Sequence, residues 1–263
     1  MKNYRFDRFS LILFLLTMPI WLGGCAGSSK TVKSSSLPCR EQFDLARSEF
    51  EREKYSRAVE QFKLFLFDCP GANMVDTAQY FLSMSYYHEK DYPTAAAEFR
   101  KLLNSFPTSE FSDDALFMVG LSDFEQSAGP QLDQTFTLLA MDQFRDFIDI
   151  YPLSPLLPEA QKYLQACRDK LAEKAFLNAR VYFRLKNYKS SRIYLEELLA
   201  GYPDSEWAAQ AQFLLAESYR LESQGEKALN EYQKVLDNYT DVKLAQESQK
   251  RIQEIKQNPA DRL

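Results

Sequence analysis

Histidine is nearly absent from this chain of 263 residues, and His88 is the only one. A single imidazole leaves no Ser-His-Asp or Cys-His arrangement except one built on His88, and it rules out a histidine-rich metal site. Phosphate-cradling loops of the G-x-x-x-x-G-K-S/T or G-x-G-x-x-G kind are missing as well. Paired carboxylates such as Glu196 and Glu197 fall on helical surface positions. The sequence therefore carries no catalytic constellation, and neither a metal nor a cofactor is expected. Basic excess is lacking too: 32 Lys and Arg stand against 37 Asp and Glu, a formal charge of −5. Such a chain has no general surface for neutralising phosphates, which argues against nucleic acid as the main partner. With eight glycines and no sustained alternating runs, no strand is expected. The one long apolar run, residues 9–22, is shorter than the about 20 residues that a spanning helix needs.

What is present begins with a targeting segment. Lys2, Arg5 and Arg8 precede that apolar run, and small residues close it. These lead straight into a cysteine, and Leu22-Gly23-Gly24-Cys25 resembles the bacterial lipobox. The resemblance implies that Cys25 is acylated and becomes the first residue of the mature protein; the alternative is a plain secretory signal with an incidental cysteine. Each buried methylene contributes about 0.8 kcal/mol, and one acyl chain holds only marginally, so several chains are needed for stable anchoring. Ala26 is not the aspartate that retains many lipoproteins at the inner membrane, which by resemblance points to the outer one. Loss of residues 1–24 removes three basic residues and one acidic residue, moving the formal charge from −5 to −7. Residues 26–38, with five serines and two lysines, read as a flexible tether.

The body repeats one phrase, an apolar helical stripe ending in an aromatic residue and proline. The copies are FKLFLFDCP, FRKLLNSFP, FRDFIDIYP and LEELLAGYP, with a degenerate YQKVLDNYT, at spacings of 37, 45, 51 and 37 residues. Ala58, Ala95, Ala140 and Ala228 precede Phe62, Phe99, Phe144 and Tyr232 by one helical turn, which puts each pair on one face. Tyr55, Tyr92 and Tyr188 open three of the second helices. Proline then ends each pair and pushes the residue before it toward an extended conformation. This pattern resembles tetratricopeptide repeats, in which a helix pair cannot bury its stripe alone and stacked pairs share a core. The expectation is an all-α, right-handed tetratricopeptide-repeat solenoid of about five helix pairs. The third unit carries SAGPQLDQT, a loop, between its helices. The fourth shows unbroken helical spacing over residues 158–185, a long helix bracing the two halves.

The run DALFMVGLSDFEQ, the insertion, DQTFTLLAMDQFRDFIDIYPLSP, the long L-A-E-K helix and the K-N-Y turn together resemble the BamD family, lipoproteins of the outer-membrane β-barrel assembly machine. The resemblance covers about residues 40–240. It implies a lipid-anchored scaffold on the periplasmic face of the outer membrane. Its amino-terminal repeats would receive unfolded outer-membrane proteins, and its carboxy-terminal repeats would contact the BamA insertase and accessory lipoproteins. The domains so read are a lipoprotein signal peptide at 1–24, a lipidated tether at 25–38, a BamD-like repeat domain at 39–257 and a tail at 258–263. The alternative is a periplasmic tetratricopeptide lipoprotein that scaffolds cell-wall or envelope enzymes. In neither case is an enzyme expected. One departure stands out: family members often place an arginine where this chain has Tyr194. Arg192 lies on another face, so that insertase contact does not carry over.

In solenoids of this kind the first helix of each pair lines the concave groove. Counting back from Pro107 turns Tyr80, Met84, Tyr87 and His88 toward it, with Phe117 and Glu125 continuing in the third unit and Arg180 and Arg184 projecting from the fourth. Aromatic rings with methionine suit an extended apolar peptide; packing against the neighbouring unit is the plain alternative. Cys39 and Cys69 flank the first helix hairpin at the same end, as a disulfide or as two free thiols, and Cys167 reads as core.

Overall fold

The computed structural model describes residues 37–257, so Cys25, the leader, most of the tether and the tail lie outside the described residues. Among the described residues there are eleven helices and no strand. They are α1 (Cys39–Glu51), α2 (Tyr55–Asp68), α3 (Val75–His88), α4 (Tyr92–Ser105), α5 (Ser112–Glu125), α6 (Thr135–Ile150), α7 (Leu157–Arg184), α8 (Tyr188–Gly201), α9 (Ala208–Arg220), α10 (Gly225–Asn238) and α11 (Val242–Gln257). Each helix packs on the one before it and the one after it; α1 also touches α3, α5 touches α7, and α9 touches both α7 and α11. The result is an all-α repeat solenoid of five helix pairs, with α11 covering the last pair. None of these helices is long and apolar enough to cross a membrane.

The second helices share one buried register. Ala58, Phe62 and Phe65 in α2, Ala95, Phe99 and Leu102 in α4, Ala140, Phe144 and Phe147 in α6, and Ala228, Tyr232 and Val235 in α10 are all at most 1% exposed. The spacing i, i+4, i+7 lays all three on one stripe, and the small residue lets the facing helix approach. In α8 the same places hold Ser191, Leu195 and Leu198, also fully buried. A hydroxyl in that position must be satisfied, and Ser191 donates to the carbonyl of Ala179 in α7 (2.9 Å). Within units two and five the pairs are tied by matching bonds: Gln79 donates to Glu98 (2.7 Å) and Gln212 to Glu231 (2.6 Å).

Two kinds of joint repeat. Between the helices of a pair, Glu53, Lys90, Lys186 and Ser223 adopt left-handed φ values of 57° to 63°, each two residues before a second helix. The next N–H then reaches back to a carbonyl of the preceding helix, as in Lys54 to Glu49 and Asn187 to Tyr182. Between units, the serine after the closing proline bonds a carboxylate at the start of that unit's first helix: Ser109 donates to Asp76 (2.7 Å) and Ser154 to Asp113 (2.8 Å). The residues before proline do not become fully extended. Cys69, Phe106, Tyr151 and Tyr202 open to φ of −120° to −136° but stop at ψ of 48° to 62°, and each still donates its N–H to the carbonyl four residues back. Tyr239, which precedes Thr240, makes no such bond and reaches ψ 148°.

Helix α7 replaces a short first helix with 28 residues. It braces the insertion between α5 and α6, where Lys170 donates to Ser127 Oγ (2.6 Å) and Lys174 to the carbonyl of Leu132 (2.6 Å). At the far end α11 is held by a buried acid: Glu217 of α9, only 9% exposed, accepts from the Tyr232 hydroxyl and pairs with Arg220 (2.7 Å) and Arg251 of α11 (3.2 Å). Burial opposes ionisation of Glu217, yet the bonds from Arg220 and Tyr232 and the charges of Arg220 and Arg251 hold its pKa below the usual range. At the near end Cys39 and Cys69 form a disulfide between the start of α1 and the end of α2, with Cα atoms 5.9 Å apart. Closing a loop of this length stabilises by about 3–4 kcal/mol in the chain-entropy treatment. Cys167 is a free thiol, fully buried, its pKa pushed up to about 12 by burial.

Gly120 of α5 leaves room for the Phe144 ring of α6. A Cβ there would lie 2.9 Å to 3.1 Å from three atoms of the Phe144 ring, which is stacked on Tyr163 (5.4 Å) and set against Phe117 (5.7 Å). The ring has nowhere to retreat. Gly120→Ala is expected to destabilise the chain by about 1–2 kcal/mol, overpacking outweighing the better helix propensity of alanine. Urea unfolding of the two proteins measures it; equal or greater stability of the variant would refute the close approach.

Candidate peptide-binding face

Tyr80, Met84, Tyr87 and His88 all lie on α3, and the structure divides them between two tasks. Tyr80 is half-buried, stacked on Phe111 at 4.5 Å with an edge toward Phe99 at 6.0 Å. It forms the joint to the third unit. Burial first, then the nearby Asp114 and Asp113, push its pKa up to about 12. His88 performs the same service toward the first unit: its ring stacks on Tyr55 at 4.5 Å and meets the edge of Phe50 at 5.8 Å. Met84 is half-buried against the core. Tyr87 is half-buried beside Tyr92, at 5.3 Å between ring centres; its pKa rises to about 12 through burial first and then the charge of Glu125 and the neighbouring Tyr92 and Tyr163.

Phe117 does not line this face. It is 5% exposed, enclosed by Phe144 (5.7 Å), Phe147 (5.8 Å) and Tyr163 (6.0 Å). Phe117 is the sixth residue of α5 as Tyr80 is of α3, so the register is right and the surroundings differ. The extended α7 brings Tyr163 across, and Gly120 admits Phe144 from below.

Tyr163 and Phe124 are therefore the groups that continue the strip, with rings 5.2 Å apart. Glu125, exposed at the end of α5, lies in the field of both Tyr87 and Tyr163. Nothing in the local pattern distinguishes Tyr163 from ordinary stripe residues of α7; the length of that helix is what displays it. The tyrosines stay protonated at any physiological pH, so the strip offers hydroxyl donors, ring faces and one carboxylate acceptor. That chemistry suits holding a polypeptide by contact and by backbone hydrogen bonds. Among the described residues no group of three or more His, Cys, Asp or Glu is placed to hold a metal.

In the fourth unit Tyr194 stacks on Tyr182 at 5.4 Å. Arg192 turns toward the fifth unit instead, paired with Glu222 (2.7 Å) and set over the Tyr219 ring at 4.6 Å. Arg180 and Arg184 are exposed on α7 and border a cleft of about 640 Å³ between α7, α9 and the start of α11.

The sequence pattern of the family YfiO, described as "Outer membrane lipoprotein", matches residues 36–236. The chain is 25% identical over 211 residues to a protein of Rickettsia prowazekii (strain Madrid E) named "Outer membrane protein assembly factor BamD", covering 80% of this chain and 84% of that one. Similar solved structures include a thermophilic tetratricopeptide protein of Thermus thermophilus (15% identity, 82% of this chain and 100% of that one, TM-score 0.36). Another is the TPR2AB domain of yeast Sti1 in its pHSP90 complex (10% identity, 83% and 98%, TM-score 0.40).

The stacked His88 ring makes a pH-dependent prediction. The residue keeps much of its surface exposed, but partial desolvation of the ring lowers its pKa from the ordinary 6.5, opposed by the charge of Glu53. The fold thus favours the neutral ring, and its stabilisation is complete above pH 6.5 and lost as pH falls through that value toward the folded pKa. As the sole histidine, His88 can be followed directly by NMR. Its midpoint should lie below 6.5 and move back toward it in Tyr55→Ala; a midpoint at or above 6.5 in the unaltered chain would contradict the stacked joint.

Proposed function

The chain belongs to the YfiO family of outer membrane lipoproteins, and from that premise we propose that it is a scaffold of the β-barrel assembly machine. In this reading Cys25 carries the acyl chains that hold it at the periplasmic face of the outer membrane. The observation that carries the reading is the extent of the match: residues 36–236 cover all of α1 to α9 and most of α10, so the match runs through nearly the whole repeat body, across the insertion and the 28-residue helix. The α3-to-α7 strip of tyrosine, methionine and phenylalanine is the surface offered to unfolded barrel precursors. The fourth and fifth units are the surface offered to a BamA-like insertase and accessory lipoproteins. The insertase contact does not use an arginine at position 194, where Tyr194 stacks on Tyr182. The protein acts by holding polypeptides, without bond chemistry. A flat, half-buried aromatic strip gains affinity chiefly when the bound segment needs little ordering, so area alone does not fix its strength.

Depletion in the native host, with the unaltered gene or Cys25→Ser supplied in return, tests both parts. Folded outer-membrane barrels should fall on depletion and recover with the unaltered chain, while Cys25→Ser should appear in the soluble fraction with an unchanged helical spectrum. Normal barrels accompanied by altered septation or wall cross-linking would overturn the assembly role in favour of cell-wall scaffolding. Retention of Cys25→Ser in membranes would overturn the lipid anchor.

A further inference from the structure

Beyond the strip on α3 to α7, the carboxy-terminal end of the body carries a second, differently built groove. The floor of the cleft between α7, α9 and α11 is apolar, from Phe176, Phe183, Phe213, Leu214 and Leu244. Arg180, Arg184 and Lys243 stand at its margin. A second hollow of about 460 Å³ shares Phe213, Lys243 and Leu244 with the first and runs on along α11, adding Lys250. The two form one elongated trough.

Its charge is unbalanced in a chain that is acidic overall. The carboxylates in the lining are already engaged: Asp241 accepts from the Leu244 N–H (2.9 Å), capping α11, and Glu247 pairs with Arg251 (3.1 Å). The four cations have no such partner. Among the described residues none of Arg180, Arg184, Lys243 and Lys250 forms an ion pair; Arg180 only approaches the Phe176 ring, at 5.9 Å. Elsewhere in the last two units, arginines are matched with acids, as Arg192 with Glu222 and Arg220 with Glu217. An apolar trough rimmed by unpaired cations is complementary to a ligand that presents apolar groups on one side and carboxylates along its edge.

We propose that this trough binds an acidic segment of a partner polypeptide in which apolar side chains alternate with carboxylates. The inference rests on the scaffold reading. The elongation favours a chain over a compact anion, since the cations are spread from the end of α7 to the third turn of α11. Gln210 in the lining supplies a neutral donor and acceptor suited to a peptide backbone. Apolar side chains would fill the floor between Phe176 and Phe213, and the carboxylates would reach Arg180 and Arg184 on one side and Lys243 and Lys250 on the other.

The test uses the full chain in detergent and a fluorescein-labelled peptide of alternating Phe and Glu, followed by anisotropy. Binding is expected, weakened by high salt and reduced about tenfold or more in Arg180→Glu combined with Arg184→Glu. Alternating Phe and Lys, or Ala and Glu, should bind at least about tenfold more weakly, and Arg145→Glu on α6 should change nothing. The single Arg184→Gln, a milder change at an exposed site, should weaken binding in the same direction and serves if the double reversal misfolds. Unchanged affinity in these variants, equal binding of the Ala and Glu peptide, or capture of phosphatidylglycerol vesicles without capture of the peptide would overturn the proposal. These outcomes are read in vitro and are separate from barrel levels after depletion, so either reading can fail while the other stands.

Discussion

The buried residues of α7 belong to two different apolar clusters, and nearly everything else in the molecule is arranged around that fact. Ala160, Cys167 and Leu171 close the cluster that begins at Phe43 and runs through the aromatic stripes of α2, α4 and α6. From Ala172 onward the same helix opens a second cluster, with Phe176 and Ala179 packed against Leu195, Leu198 and Leu215. An ordinary first helix of 13 or 14 residues, like α3 or α9, has room for one of these duties. With 28 residues, α7 performs both, and a continuous helix transmits position because its backbone bonds leave no hinge. Filling a core site with a leucine or phenylalanine side chain is worth about 1.5–3 kcal/mol, so each cluster is substantial, and their relative placement rides on one element.

The same helix shapes both candidate faces. Its first half carries Tyr163 across α5, which closes over Phe117 and extends the tyrosine strip that starts on α3. Its second half carries Phe176, Arg180, Phe183 and Arg184 to the trough shared with α9 and α11. A hydroxyl-rich aromatic strip with one carboxylate and a cation-rimmed trough thus meet successive stretches of one helix. A scaffold that must hold two unlike polypeptides in fixed relation has a use for such an arrangement.

What could be read from the sequence was whatever a single helix must do for itself. The closing prolines, the alanine one turn before an aromatic, the tyrosines that open second helices, the loop after Glu125 and the unbroken spacing of α7 are local demands, and each leaves a local trace. Ser191 and Leu195 escaped because they fill the alanine and aromatic places with other residues, made compatible by a hydroxyl bond to Ala179 that no spacing rule contains. Phe117 was assigned to the groove by a correct register, but its cover, Tyr163, comes from 46 residues on in a helix whose neighbours are not encoded nearby. The trough depends on three helices and on carboxylates being spent elsewhere, which only the assembled structure reveals. Helix α11 lacks the closing phrase entirely; it is held by Ile252 and Ile255, buried with Ala216, Ala228 and Tyr232, and by Arg251 reaching Glu217.

If α7 joins the two clusters, damage to one must be felt in the other. A recombinant chain beginning at residue 26 keeps Trp207 as its only tryptophan, and that ring lies 5.1 Å from Phe176, inside the second cluster. Phe62→Ala removes a fully buried ring from the first cluster, a change that costs about 3–5 kcal/mol in well-packed cores. Urea unfolding followed by Trp207 fluorescence is the direct measurement. The coupled structure requires the Trp207 midpoint to fall in Phe62→Ala together with the midpoint from circular dichroism; a Trp207 transition that stays where it was would show that the two halves unfold independently and that α7 does not bind them into one body.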